Sequence, residues 1–291
     1  MKLSVFTVAT PDLTPEALCA AAKSAGIDGV EWRYKETPAS LANEPYSFWG
    51  NNLATIAPSA GTAGLEPFKR AAAEHGIAAI GVTPYLTVGD LEATEQVLEA
   101  ARHLGASMIR LGVPAYDRSR HYNDLLEAGR NYLQGASLLC RQYGIKGLVE
   151  LHHGTIAASP SAGLRLIEGF DPETVGVLYD PGNMIHEGFE NYRMGMELLG
   201  PYLAHVHVKN AGWFPAAGSD QAPGTDSDTK WQAKWVGIRG GIVPWPQVIA
   251  DLKAVGYKGF LGVEDFSGEL DSAAMLHSFA DYMRELLHRG E

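Results

Sequence analysis

Cysteine is scarce in this chain: among 291 residues only Cys19 and Cys140 occur, far apart and with no CxxC pair. A disulfide scaffold and a thiolate metal site are thereby excluded, and both residues read as buried or reduced thiols. No apolar run approaches the ~18 residues that a membrane-spanning helix needs, so no membrane partner is expected. The opening stretch "MKLSVFTVATPDLTPE" reaches polar turn residues too soon for a signal peptide, and a cytoplasmic protein is the expectation. Positive charge is also short. The chain has 23 Lys and Arg against 34 Asp and Glu, a net charge of −11, and no basic run. Nonspecific nucleic-acid affinity comes mainly from cations that neutralise phosphates, so no nucleic-acid partner is expected either. No GxGxxG follows the first strand-like run, and no Ser- or Gly-rich linker divides the chain.

What the chain does have is regular alternation. Eight apolar, strand-like runs follow one another: "LSVFTVA" from Leu3, "GVEWRY" from Gly29, "IAAIGVT" from Ile77, "SMIRLGV" from Ser107, "KGLVELH" from Lys146, "VGVLYD" from Val175, "LAHVHVK" from Leu203 and "GFLGVED" from Gly259. Helical patterns separate them, at Pro15 to Ala25, Thr62 to His75, Leu91 to Leu104, Asn123 to Tyr143, Ser161 to Gly169, Tyr192 to Leu199 and Trp245 to Val255, with Ser272 to His288 closing the chain. Several end in Gly before the next strand ("SAGIDG", "EHGI", "HLGAS", "QYGIKG"), where a left-handed cap stops a helix. Eight βα units in one chain of this length predict an α/β protein with a closed (β/α)8 TIM barrel, a single domain over residues 1–291, ahead of a doubly wound open sheet. One segment, 210–241, is too long for an ordinary βα loop and is expected to be a functional, lid-like loop after the seventh strand.

In such a barrel the active site lies where the strands end, which directs attention to the polar residues there. Strand five ends at Glu150 with His152 two residues on, strand six at Asp180, strand eight at Glu264, and strand seven carries His205 and His207. Taken singly, each has an ordinary explanation: Glu150 and Glu264 as satisfied polar residues, Asp180 before Pro-Gly as a turn residue, one of the two histidines as a hydrogen-bonded core residue. Taken together they converge. Alternation puts Glu150 and His152 on one face and His205, His207 and Lys209 on one face, and carboxylates gathered this way repel unless a cation sits among them.

The segments "GVEWR", "LVELHHGT", "LYDPGN", "HVHVKN" and "GYKGFLGVED" resemble those of the xylose-isomerase-like TIM barrels, which include sugar-phosphate isomerases/epimerases and ketose 3-epimerases. The resemblance runs from Leu3 to about Leu287. It implies one divalent metal held by Glu150, Asp180, His207 and Glu264, with Glu150 and Glu264 also acting as the acid and base of an isomerase or epimerase that works through a metal-stabilised enediolate. Three carboxylates and an imidazole favour Mn²⁺, with Zn²⁺, Co²⁺ and Mg²⁺ also compatible. Many members have a histidine three residues after the strand-six aspartate, where this chain has Asn183, the nearest histidine being His186. That departure, with the negative charge, counts against an AP-endonuclease-like repair enzyme with a trinuclear zinc site.

His152, Asn183, His186, Lys209, Trp213 and Arg239 are the expected contacts to a small carbohydrate substrate, free or phosphorylated. A metal-dependent lyase or dehydratase of a keto-sugar or polyol would use the same ligands and the same proton abstraction. A non-catalytic sugar-binding barrel would not need two carboxylates at the metal. The sequence leaves a homo-oligomer open.

Overall fold

In the computed structural model, residues 1–216 and 230–289 are described. The strands are β1 (Lys2–Phe6), β2 (Gly29–Tyr34), β3 (Thr55–Ile56), β4 (Ala78–Pro84), β5 (Met108–Arg110), β6 (Lys146–Glu150), β7 (Val175–Tyr179), β8 (Leu203–Val208), β9 (Asn210–Pro215), β10 (Trp231–Val236) and β11 (Phe260–Val263). Eight of them pair in parallel around a closed ring, in the order β1, β2, β4, β5, β6, β7, β8, β11 and back to β1. The two-residue β3 adds to the end of β2. These eight strands are the eight apolar runs, and the barrel is the fold that their number predicts.

Helices α1 (Pro15–Ala25), α2 (Gly61–His75), α3 (Leu91–Leu104), α4 (Tyr122–Tyr143), α5 (Pro160–Ile167), α6 (Pro181–Glu187), α7 (Tyr192–Leu199), α8 (Trp245–Ala254) and α9 (Ser272–His288) cover the ring. Thr14, Asp90 and Asp271 cap α1, α3 and α9 by accepting from backbone N–H groups three residues on. Gly26, Gly76, Gly105 and Gly144 take the left-handed position that ends α1 to α4.

The two-residue period divides each strand. Val5, Val30, Val82, Ile109, Val149, Val177, Val206 and Leu261 belong to the continuous apolar core. The alternate positions face the barrel axis and carry Glu31, His205 and His207, all buried. An interior with this many charged groups is held by pairing rather than by apolar contact, and the pairs gather toward the strand ends.

Segment 210–241 differs from the irregular loop expected of it. β8 continues almost directly into β9, which pairs antiparallel with β10 from Asn210↔Val236 to Pro215↔Trp231. Asn210 fastens the base of this hairpin, its amide donating to the carbonyls of Ile238 (2.8 Å) and Val243 (3.2 Å). Residues 217–229 of the expected loop lie outside the described residues.

Candidate metal centre

Four ligand-type residues meet at the C-terminal ends of neighbouring strands. Ligand atoms of Glu150 (β6), Asp180 (after β7), His207 (β8) and Glu264 (after β11) all lie within 4.8 Å of one another, and all four residues are buried. Asp180 does two jobs. It is the N-cap of α6, where Pro181 fits the first helical position, and its Oδ1 accepts from the Asn183 N–H at 2.9 Å. Its Oδ2 faces the cluster, 3.8 Å from His207 Nδ1.

His207 is held from behind. Its Nε2 lies 3.1 Å from Glu31 Oε2, and Phe6 stacks on its ring at 5.7 Å. A carboxylate only accepts, so Nε2 carries a proton, which leaves Nδ1 as the ring atom that takes either a second proton or a metal ion. That Nδ1 is buried with no hydrogen-bond partner among the described residues, and it looks at Glu264 (3.5 Å), Glu150 (3.7 Å) and Asp180 (3.8 Å). Burial lowers the His207 pKa, but Glu31 and Glu264 outweigh it and carry the ring well above the usual histidine range. The atom is a place where positive charge is wanted, whether as a proton or as a metal ion.

The carboxylates divide in the same way. Burial raises Glu150, yet the Arg110 guanidinium, 2.6 Å from its Oε2, holds it well below the ordinary carboxylate range. Glu264 is likewise lowered against burial by Lys209 and His207, whereas burial leaves Asp180 raised despite Lys209 at 2.9 Å. Glu150, Asp180 and Glu264 bring three carboxylates to the cluster against two fixed cations, Arg110 and Lys209, so negative charge remains there for a cation to meet. An unpartnered imidazole nitrogen among three carboxylates also suits such an ion, so the residues fit the group.

Above the cluster opens a cavity of about 460 Å³ lined by Arg110, Glu150, His152, Lys209 and Glu264 at its floor. Asp180 and His207 do not line it. Of the expected substrate contacts, His152 and Lys209 therefore reach the cavity. Asn183 does not. Its buried amide donates to Asp180 Oδ2 (2.9 Å), Leu151 O (3.2 Å) and Glu150 Oε1 (3.3 Å), so it braces the ligands from beneath. His186 lies behind as well, stacked on His153 at 4.0 Å. Trp213 donates its indole N–H to Ile185 O at 2.9 Å on the outer side of the hairpin, outside the cavity lining. Arg239 stands apart, over the Tyr282 ring at 3.9 Å and 3.7 Å from Glu285 on α9.

Two residues with clear parts in the centre went unassigned in the sequence. Glu31 bridges His205 (2.7 Å) and His207, and Arg110 pairs with Glu150. Both are charged residues inside strand runs, "GVEWRY" and "SMIRLGV", where a charge facing a barrel interior must have a partner. Gly262 makes room for the first pair: a Cβ there would meet Glu31 Oε1 at 2.6 Å and His205 Nε2 at 3.1 Å. Because a carboxylate behind a ligating histidine fixes its tautomer, Glu31→Gln should weaken divalent-metal affinity by about 10–100-fold. Metal titration of the purified variant, with its circular dichroism unchanged, checks this. Wild-type affinity would remove Glu31 from the site.

The chain belongs to the family described as xylose isomerase-like TIM barrel, whose pattern it matches over residues 19–286. A segment of 81 residues is 32% identical to an inosose dehydratase of Geobacillus kaustophilus, covering 27% of this chain and only 25% of that protein's length. Among solved structures, the IOLI protein with a bound zinc atom superposes with a TM-score of 0.72 at 16% identity, over 99% of this chain and 98% of that one. The 3-keto-D-glucoside 4-epimerase YcjR of E. coli superposes with a TM-score of 0.67 at 17% identity, over 98% and 99%. At such identities these structures share the fold. Among the described residues no helix is long and apolar enough to cross a membrane.

Proposed function

We propose that the protein is a divalent-metal-dependent isomerase or epimerase of a carbonyl-bearing carbohydrate, with Mn²⁺ as the ion. One observation carries the reading: of the four clustered ligand-type residues, Glu150 and Glu264 line the cavity while Asp180 and His207 lie behind it. The arrangement suits two residues that hold and two that hold and react. When bound, a divalent cation supplies Lewis acidity that polarises a carbonyl and offsets the negative charge developing as its α-proton leaves. Glu150 and Glu264 stand on β6 and after β11, the outer pair of the four strands, and so approach a substrate carbon from two sides. One carboxylate removes the proton and the other returns one. Lys209, drawn upward by Asp180 and Glu264 against burial, stays charged and donates toward a substrate oxygen. His152 contacts a hydroxyl from the cavity floor.

The local likeness to an inosose dehydratase favours a second reading, in which the same proton is taken and a β-hydroxyl is then expelled as water. Turnover of ketoses and keto-glycosides in heavy water separates the two. Epimerisation or isomerisation leaves a product isomeric with the substrate and carrying one deuterium at the carbon beside the carbonyl. Dehydration leaves a product lighter by one water. Turnover with no deuterium incorporated would overturn proton transfer by the carboxylates and favour an internal hydride shift.

A further inference from the structure

The cavity walls change chemistry from floor to mouth. The floor is polar and charged, whereas Trp235 on β10, Phe266 and Trp49 form a continuous aromatic line along one wall, with ring centroids 5.8 Å and 4.9 Å apart. The line starts beside the ligand carboxylates, since Lys209 Nζ lies 5.0 Å from the Trp235 ring and 5.5 Å from Phe266. It ends at the mouth, where Trp49 is 53% exposed. Tyr85, Leu86 and Val113, from the ends of β4 and β5, complete the outer wall. The volume of about 460 Å³ lies in the range, ~300–1,000 Å³, of sites that hold drug-sized ligands.

Charge narrows the ligand further. Among the described residues, the only lysine or arginine in the lining are Arg110 and Lys209, and both are already paired with ligand carboxylates. His153 is pulled down to about 3 by burial and then by His152, so it is neutral. Lys35, which has no carboxylate partner among the described residues, lies 4.8 Å from the outer Tyr85 ring and does not line the cavity. Residues 217–229 contain three aspartates and no lysine or arginine, and so add no cation. A phosphorylated or carboxylated sugar would bring a further anion to cations already taken, and its lost hydration would go uncompensated. A free monosaccharide carries hydroxyls on every side, and the outer wall has few groups to meet them.

We infer that the substrate is an uncharged glycoside whose sugar ring carries a keto group, that ring on the polar floor and an apolar or aromatic aglycone along Trp235, Phe266 and Trp49. The inference rests on the carbohydrate reading of the site. It is tested by binding, so that it fails separately from the proton-transfer chemistry. Metal-loaded full-length protein is titrated calorimetrically with phenyl and methyl glycosides of glucose and galactose, and with glucose phosphate. In at least one sugar series the phenyl glycoside should bind about tenfold more tightly than the methyl one, the scale that aromatic stacking supplies, and glucose phosphate should bind more weakly than either glucoside. Trp235→Ala and Trp49→Ala should each bring the phenyl-to-methyl ratio toward one. Trp231→Ala, at an exposed position outside the cavity lining, should leave it alone. Equal affinity for phenyl and methyl glycosides in both series, a ratio unmoved in both wall variants, tightest binding of the phosphate, or no saturable binding of any glycoside would overturn the inference. A phenyl preference together with no deuterium exchange into ketoses or keto-glycosides would instead remove the proton-transfer reading and leave the wall assigned.

Discussion

Asp180→Asn and His207→Ala should each reduce bound divalent metal from about one ion per chain to a small fraction, with affinity weakened by more than the 10–100-fold expected for a residue behind a ligand. The choice of asparagine at 180 follows from the double duty of Asp180. Its Oδ1 caps α6, and asparagine caps a helix as well as aspartate does, so the helix start survives while the ligating carboxylate is lost. Lys209 retains Glu264 as a partner in that variant. His207→Ala leaves Glu31 with His205, so the buried carboxylate stays hydrogen-bonded. Elemental analysis of each protein after dialysis gives the readout, and a melting curve recorded with chelator present separates metal loss from misfolding. If both variants melt like wild type and still carry one ion per chain, the cluster is not the site.

How much of this was readable beforehand depended on whether the information was local. The eight barrel strands and their flanking helices were legible because each carries its own period and its own stop, as "VGVLYD" and the glycine after Tyr143 do. Helix α6 was not: seven residues opening on Pro-Gly are too few to show an amphipathic repeat, and the stretch read as a turn. The same error misplaced Asn183. A turn would have aimed it at substrate, whereas the helix folds it back under Glu150 and Asp180. The hairpin escaped because its strands are separated by residues rich in Gly, Pro and Asp, and because its pairing partner is not local. Arg239 is close to the hairpin in sequence, but the chain has by then turned toward α9.

The ligands themselves were legible as a coincidence, one acidic or imidazole group at each of four successive strand ends. Glu31 was not, since its meaning lies 174 residues away at His205 and no strand-end rule reaches it. The cavity wall was legible only in part. The sequence drew attention to Trp213 without showing that it bonds to Ile185 outside the lining while Trp235 faces inward. Strand alternation gives a relative direction, and the absolute one needs the barrel.

Glu150→Gln and Glu264→Gln should each lower turnover by about 10²–10⁴-fold, the range that a positioned acid or base contributes, and by far more than they lower metal occupancy. Glutamine keeps an oxygen that coordinates weakly and keeps the side chain's volume, but it has no basic carboxylate to take a proton. The surroundings make the two positions unequal. At Glu150 the substitution leaves Arg110 without its anion, with Pro84 O at 2.9 Å and the Tyr85 ring at 4.8 Å as its neighbours, so that variant should also lose thermal stability. At Glu264 the cation left behind is Lys209, which keeps Asp180 at 2.9 Å, so stability should change less. Turnover per bound metal ion, rather than per chain, is the quantity to compare. If it stays within a few-fold of wild type in both variants, the two glutamates only hold metal, and proton transfer must be sought in another group lining the floor, His152 or Lys209.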